Sequence, residues 1–239
     1  MTGLFRAAAR PSGVALALLA GLVACSTADR SGGPARPLAQ VIADPALSAC
    51  VAAAAGFPDA AGNASDAALG AIRELHCDGQ TSAVGPIRSL DGLQRLTALS
   101  VLDAPRNAIA DLTPLAALHE LGTLTLTANQ VSDLTPLTGL PDLDTLRLAH
   151  NRVVDPAPLG TIPTLLRLDV FDNQIVDVAG LAPAPLLQEL QLGANPLTDL
   201  APLVAVRSLV NLGLDESAPA RIGGIDELRA AGVHVNGLA

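Results

Sequence analysis

The 239-residue chain contains no lysine, no tryptophan and no tyrosine, and only three phenylalanines, Phe5, Phe57 and Phe171. All 14 basic residues are arginine and they face 23 Asp and Glu, for a formal net charge of −9. Nucleic-acid binding needs a basic stripe, and base stacking needs exposed aromatic rings, so no nucleic-acid partner is expected. Glycine at every third position is missing, which excludes collagen. Half of the residues are hydrophobic, too many for a disordered chain. The length would allow one or two ordinary domains. A core of Leu, Val and Ala with so little aromatic volume needs a regular framework to pack.

The first 24 residues read as an export signal. Arg6 and Arg10 form a basic start, and Val14 to Ala24 is an uncharged apolar run. That run is too short to span a bilayer, which takes about 20 residues. It ends in Leu22-Val23-Ala24-Cys25, which resembles the bacterial lipobox. The resemblance implies cleavage before Cys25 and lipidation of its thiol, hence a membrane anchor. An ordinary cleaved signal followed by an incidental cysteine is the alternative. Ser26 stands where an Asp tends to retain lipoproteins at the inner membrane, so the resemblance favours the outer membrane if the source is Gram-negative. Loss of Arg6 and Arg10 would take the net charge from −9 to −11, a sign that does not adhere to anionic lipid. Residues 25–43 include a Gly/Pro-rich, small and polar stretch and read as a flexible tether.

Beyond the tether the chain repeats every 22 residues. Asn107, Asn129, Asn151, Asn173 and Asn195 keep that step, as do Asp111, Asp133, Asp155, Asp177 and Asp199. Leu99, Leu102 and Leu115 each head a five-membered leucine column. Pro114, Pro136, Pro158 and Pro202 form a further column, with Gly180 filling the gap. A fixed period of this length marks a solenoid, in which no coil buries its apolar face alone. Around Leu124 and Leu126 apolar and polar residues alternate. These leucines are expected to face inward, and Thr123, Thr125 and Thr127 outward, from a half-buried strand. Asp133 before Thr135-Pro136 fits the N-cap of a short helical turn on the opposite side.

The unit LxxLxLxxNxVxDLxPLxxLxx resembles the leucine-rich repeat, in particular the 22-residue bacterial form of internalins. The resemblance covers residues 72–214 and implies an α/β solenoid, a right-handed superhelix with a parallel concave sheet and short helical turns on the convex side. It also implies that the five Asn side chains form a ladder linking neighbouring coils. The Asp column caps turns one per coil and lacks the clustered oxygens that calcium needs, so neither a metal nor a cofactor is expected.

The ends of a solenoid need caps. Residues 44–71 read as a helical N-terminal cap, with Asp44 and Pro45 opening one helix and residues 65–71 giving a second. Residues 215–239 read as the C-terminal cap, a short helix and an edge strand. In the first coil Leu75 and Cys77 replace the two core leucines, Gln80 stands where the Asn belongs, and the following loop is five residues longer than standard. With Cys25 acylated, Cys50 and Cys77 remain as an even pair in an exported domain and read as a disulfide, with two buried thiols as the alternative. Seven strands at ~4.8 Å each would make a sheet about 30 Å wide.

On the outward face Arg147 and Arg167 lie one strand apart beside Asp169, and Phe171 is expected to expose its ring. Arg and aromatic residues are enriched among interface hot spots, so these four form the candidate partner-binding patch. Alternatively Phe171 packs over its neighbours and the charges are merely solvated. His76, His119, His150 and His234 are scattered, without metal-ligand spacing, and no nucleophile or phosphate-loop signature appears. The expectation is a monomeric, non-enzymatic envelope protein that binds an unidentified protein through its concave sheet. The alternative is a rigid envelope spacer with no specific partner.

Overall fold

The computed structural model describes residues 35–57, 62–215 and 222–237. Cys25 and the signal segment lie outside them. The chain begins with a two-residue strand β1 (Arg36–Pro37) and helices α1 (Leu38–Val41) and α2 (Pro45–Ala54). Strand β2 (Asn63–Ala64) pairs antiparallel with β1, and helix α3 (Asp66–Gly70) follows. Asp44 caps α2 by accepting from the backbone N–H of Ala46 and Leu47 at 3.0 Å, with Pro45 at the first turn. Ser65 caps α3 through Ala68 N–H.

The expected tether over 25–43 ends sooner than its composition suggests. Leu38 and Ile42 are fully buried, and Leu38 N–H donates to Gly62 O at 2.9 Å. Two aliphatic side chains in a Pro- and Gly-rich stretch are enough to fold it over the open end of the first coil. Gly92 permits this approach. Its φ is +105°, and a Cβ there would meet Ile42 Cγ1 at 2.7 Å and Val41 O at 2.8 Å.

Eight strands form one parallel sheet in sequential order: β3 (Glu74–His76), β4 (Val101–Asp103), β5 (Thr123–Thr125), β6 (Thr145–Arg147), β7 (Arg167–Asp169), β8 (Glu189–Gln191), β9 (Asn211–Gly213) and β10 (His234–Asn236). From β4 to β9 the register matches each residue with the one 22 further on, such as Leu124 with Leu146 and Leu146 with Leu168. The sheet is roughly 34 Å wide at ~4.8 Å per strand. Each strand is three residues long, because the coil turns away on both sides. On the far side each coil closes with a 3-10 turn, for example Thr113–Leu115 and Thr135–Leu137. The Asp column serves these turns from one residue further upstream than a helix N-cap: Asp111, Asp133, Asp155, Asp177 and Asp199 each accept from the N–H two residues on, at 2.8–2.9 Å. Helix α4 (Ile225–Ala230) packs against the last turn before β10 completes the sheet.

The leucine columns are buried between sheet and turns as one continuous core, each fully buried Leu contributing about 1.5–3 kcal/mol relative to exposure. Beside them runs the amide ladder. Asn129 Nδ2 donates to Leu126 O in its own coil and to Ala104 O in the preceding one, both at 3.0 Å, and its Oδ1 accepts from Ile109 N–H at 3.0 Å. Asn151, Asn173 and Asn195 repeat this pattern, so Leu126, Leu148 and Val170 carbonyls each receive two amides. Gln80 does not continue the ladder. It is exposed, and its N–H is taken by Asp78 in a local turn. Cys50 and Cys77 form a disulfide with Cα atoms 5.7 Å apart, closing a loop that in a chain-entropy view contributes about 3–4 kcal/mol.

Candidate functional site

The outward positions of the strands make two columns. The first runs Glu74, Val101, Thr123, Thr145, Arg167, Glu189 and Asn211. The second runs His76, Asp103, Thr125, Arg147, Asp169, Gln191 and Gly213. Arg147 and Arg167 therefore stand in different columns and meet only on the diagonal, since the register sets Arg147 beside Asp169 and Arg167 between Thr145 and Glu189. Arg167 is committed to its own row: Nη1 donates to Thr145 Oγ1 at 3.2 Å and Nε lies 3.7 Å from Glu189 Oε2. Thr145, an outward residue, is buried beneath this arrangement at 6 % exposure, its hydroxyl donating to Asp144 Oδ1 at 2.6 Å. Arg147 is exposed and has no carboxylate within 4.0 Å among the described residues. Asp169 Oδ1 is turned back to accept from Phe171 N–H at 3.1 Å.

Phe171, expected as an exposed ring, is half-buried. Its ring meets the imidazole of His150 edge to face, centroids 5.6 Å apart at 77°. Its other neighbour is Gly193, where a Cβ would come within 3.0 Å of ring carbons. The missing side chain at 193 is what lets the ring lie down. His150 Nδ1 in turn lies 2.6 Å from Asp172 Oδ2. The patch thus gathers His150, Thr145 and Glu189, which a reading of single residues missed. The 22-residue step applied to Arg167 points to Thr145 and Glu189. His150 reaches Phe171 through a backbone feature with no residue signature. Arg106, Ala128, His150, Asp172 and Ala194, each just before a ladder Asn, all adopt φ between 50° and 58°. This left-handed residue swings the chain out of the strand and into the ladder.

Near the first coil Asp78 takes Arg106 through Nε at 3.0 Å and a second bond from Nη2. The guanidinium hydrogen bond holds the Asp78 carboxyl below the usual range and raises Arg106. Asp111 and Asp133 are likewise lowered, by the side chains and N–H groups of Thr113 and Thr135. Among the described residues no three His, Cys, Asp or Glu side chains gather as a metal site, and no helix is long and apolar enough to cross a membrane.

No protein-family model matches the sequence, and no curated protein matches it. Solved structures do. An internalin, inlF of Listeria monocytogenes, superposes with a TM-score of 0.74 over 84% of this chain at 22% identity. The chain folds as a leucine-rich repeat solenoid. It spans 58% of that internalin's length. Internalin C2 of the same organism matches at 28% identity and a TM-score of 0.57, covering 80% of this chain and 94% of its own. A leucine-rich repeat protein of Leptospira interrogans is 22% identical with a TM-score of 0.53, covering 73% of this chain and 50% of its own. In the leucine-rich repeat frame, the Leu, Asn and Asp columns are scaffold, and the outward columns are where coils differ.

Proposed function

We propose that this leucine-rich repeat chain is a lipid-anchored binding protein of the bacterial cell envelope that holds a protein partner on its concave sheet and has no catalytic role. One observation carries this reading. From coil to coil the inward Leu and the ladder Asn recur, while the outward columns run through Glu, Val, Thr, Arg and Asn, and through His, Asp, Thr, Arg and Gln. The leucine core imposes no residue type on those positions. A sheet this regular loses little freedom on binding, which favours its use as a preformed surface. Within it, Arg147 offers a guanidinium without an acidic partner among the described residues, and Phe171 offers a half-buried ring braced by His150. Arg167 and Asp169 border them. The anchor rests on the lipobox-like Leu22-Val23-Ala24-Cys25 and the outer-membrane location on Ser26.

Crosslinking in the native envelope, followed by affinity measurement with the captured protein, tests the surface. Combined Arg147→Ala and Phe171→Ala substitution is expected to weaken binding about tenfold or more, as hot-spot truncation does. Affinity equal to that of the unmodified chain would remove the patch. Palmitate labelling that is globomycin-sensitive and lost in Cys25→Ala tests the anchor; unlabelled chain overturns it.

A further inference from the structure

The first coil is not built like the others. In later coils the ladder Asn reaches back 25 residues to a carbonyl of the preceding coil, whereas Asn107 reaches back 30, to Cys77 O at 2.7 Å. Its Oδ1 still meets an N–H 20 residues back, that of Ile87 at 2.8 Å. The five additional residues therefore lie between Cys77 and Ile87. They stand across from α2 and with it wall a cleft of about 600 Å³, within the ~300–1,000 Å³ typical of ligand pockets.

One wall is Ala49, Ala53 and Ala54 of α2, the other Thr81 and Val84. Val84 is 54% exposed, an apolar side chain left facing open space. At the mouth are Glu74 and His76 of β3. Both also belong to the outward columns, so the cleft opens onto the first strand of the concave face. Its walls are fixed before any ligand arrives. The Cys50–Cys77 disulfide ties α2 to the end of β3. The free oxygen of Asp44 ties the start of α2 to the segment after the loop, accepting from Arg88 N–H at 2.8 Å and Ser89 N–H at 3.1 Å.

The charge at the mouth is one-sided. His76 lies 3.7 Å from Glu74 and 3.5 Å from Asp103, and neither carboxylate has an arginine within 4.0 Å among the described residues. Asp78, also in the lining, is spent on Arg106. Three carboxylates set against Arg106 and His76 leave negative charge whichever state the imidazole holds. We infer that this cleft receives a basic side chain, Lys or Arg, from a polypeptide lying on the concave sheet. The aliphatic stem packs on the alanine wall and the charged head sits at Glu74. The inference rests on the docking surface proposed above and specifies the partner's chemistry. The net charge of −9, without a single lysine, draws the same class of partner from a distance.

The test is an amide-shift NMR titration of the purified full chain with N-acetyl-lysine N′-methylamide, its norleucine counterpart and n-pentylammonium. The lysine probe is expected to shift residues 49–54 and 81–84 saturably and to bind about 1.5-fold to fivefold tighter than norleucine, the range an exposed ion pair supplies. Glu74→Gln should erase that preference, Ala53→Phe should fill the cleft and abolish the shifts, and Glu227→Gln, the same charge lost on α4 at the other end of the stack, should change nothing. Equal binding of norleucine, tighter binding of free pentylammonium than of the lysine probe, or no saturable shift each overturns the inference. No partner is needed in the titration, so its failure leaves concave-sheet docking standing and is told apart from a failure to capture a partner.

Discussion

Replacing Asn151 by Ala tests the ladder where its arithmetic is most explicit. The side chain donates to Leu126 O at 2.8 Å and Leu148 O at 3.0 Å and accepts from Val131 N–H at 2.9 Å. The two carbonyls are insured, since Leu126 O keeps Asn129 Nδ2 at 3.0 Å and Leu148 O keeps Asn173 Nδ2 at 2.9 Å. Val131 N–H has no such substitute and is left unpaired inside a buried residue. An orphaned buried donor costs about 1–3 kcal/mol. For a chain of this size that lowers Tm by roughly 2–4 °C per kcal/mol. Asn151→Asp sharpens the test. It keeps the acceptor for Val131 but turns a carboxylate oxygen toward two carbonyls, so its pKa in the fold must rise above the unfolded value. The folded state then binds more protons, and stability falls as pH climbs from the unfolded pKa to the raised one. Urea unfolding followed by circular dichroism at pH 4 and pH 7 measures both. Asn151→Ala within 0.5 kcal/mol of the parent (about the scatter of a neutral surface change), or Asn151→Asp with no pH slope, would refute the ladder as the source of stability.

Ser48 is 1% exposed in α2 and its hydroxyl has no hydrogen-bond partner among the described residues, so Ser48→Ala should stabilise by about 1 kcal/mol in chemical denaturation. Ala128 sits at φ +58°, where a Cβ is strained, and Ala128→Gly should stabilise by about 0.5–1 kcal/mol by thermal unfolding despite glycine's greater freedom in the unfolded chain. Partial burial pushes the Asp44 carboxyl up, but four backbone donors, Leu47, Arg88, Ser89 and Ala46, outweigh it and hold the pKa below 3.8. Its contribution is present above the unfolded pKa and lost as pH falls through the lower folded one. Asp44→Asn, which keeps an acceptor for the cap but not a second carboxylate oxygen for Arg88 and Ser89, should therefore be less stable at pH 7 and converge on the parent as pH drops below 3.8; a gap constant with pH refutes this.

The sequence by itself determined everything marked by a recurring residue type. A 22-residue step repeated through five coils dictates which leucines turn inward, which amides stack and which aspartates start the far-side turns, because equivalent residues of stacked coils must be lateral neighbours. The same step matched Arg167 with Thr145 and Glu189. Tertiary structure decided what no recurring residue type marks. The left-handed column from Arg106 to Ala194 holds five positions with no common chemistry and no glycine, so composition is silent about it. Phe171 lies down because position 193 lacks a side chain, a fact of the adjacent coil rather than of its own strand. Leu38 and Ile42 leave the tether because the first coil presents an open apolar end. The cleft beside α2 exists because five unrepeated residues had no coil to stack on and came to rest opposite a helix of alanines.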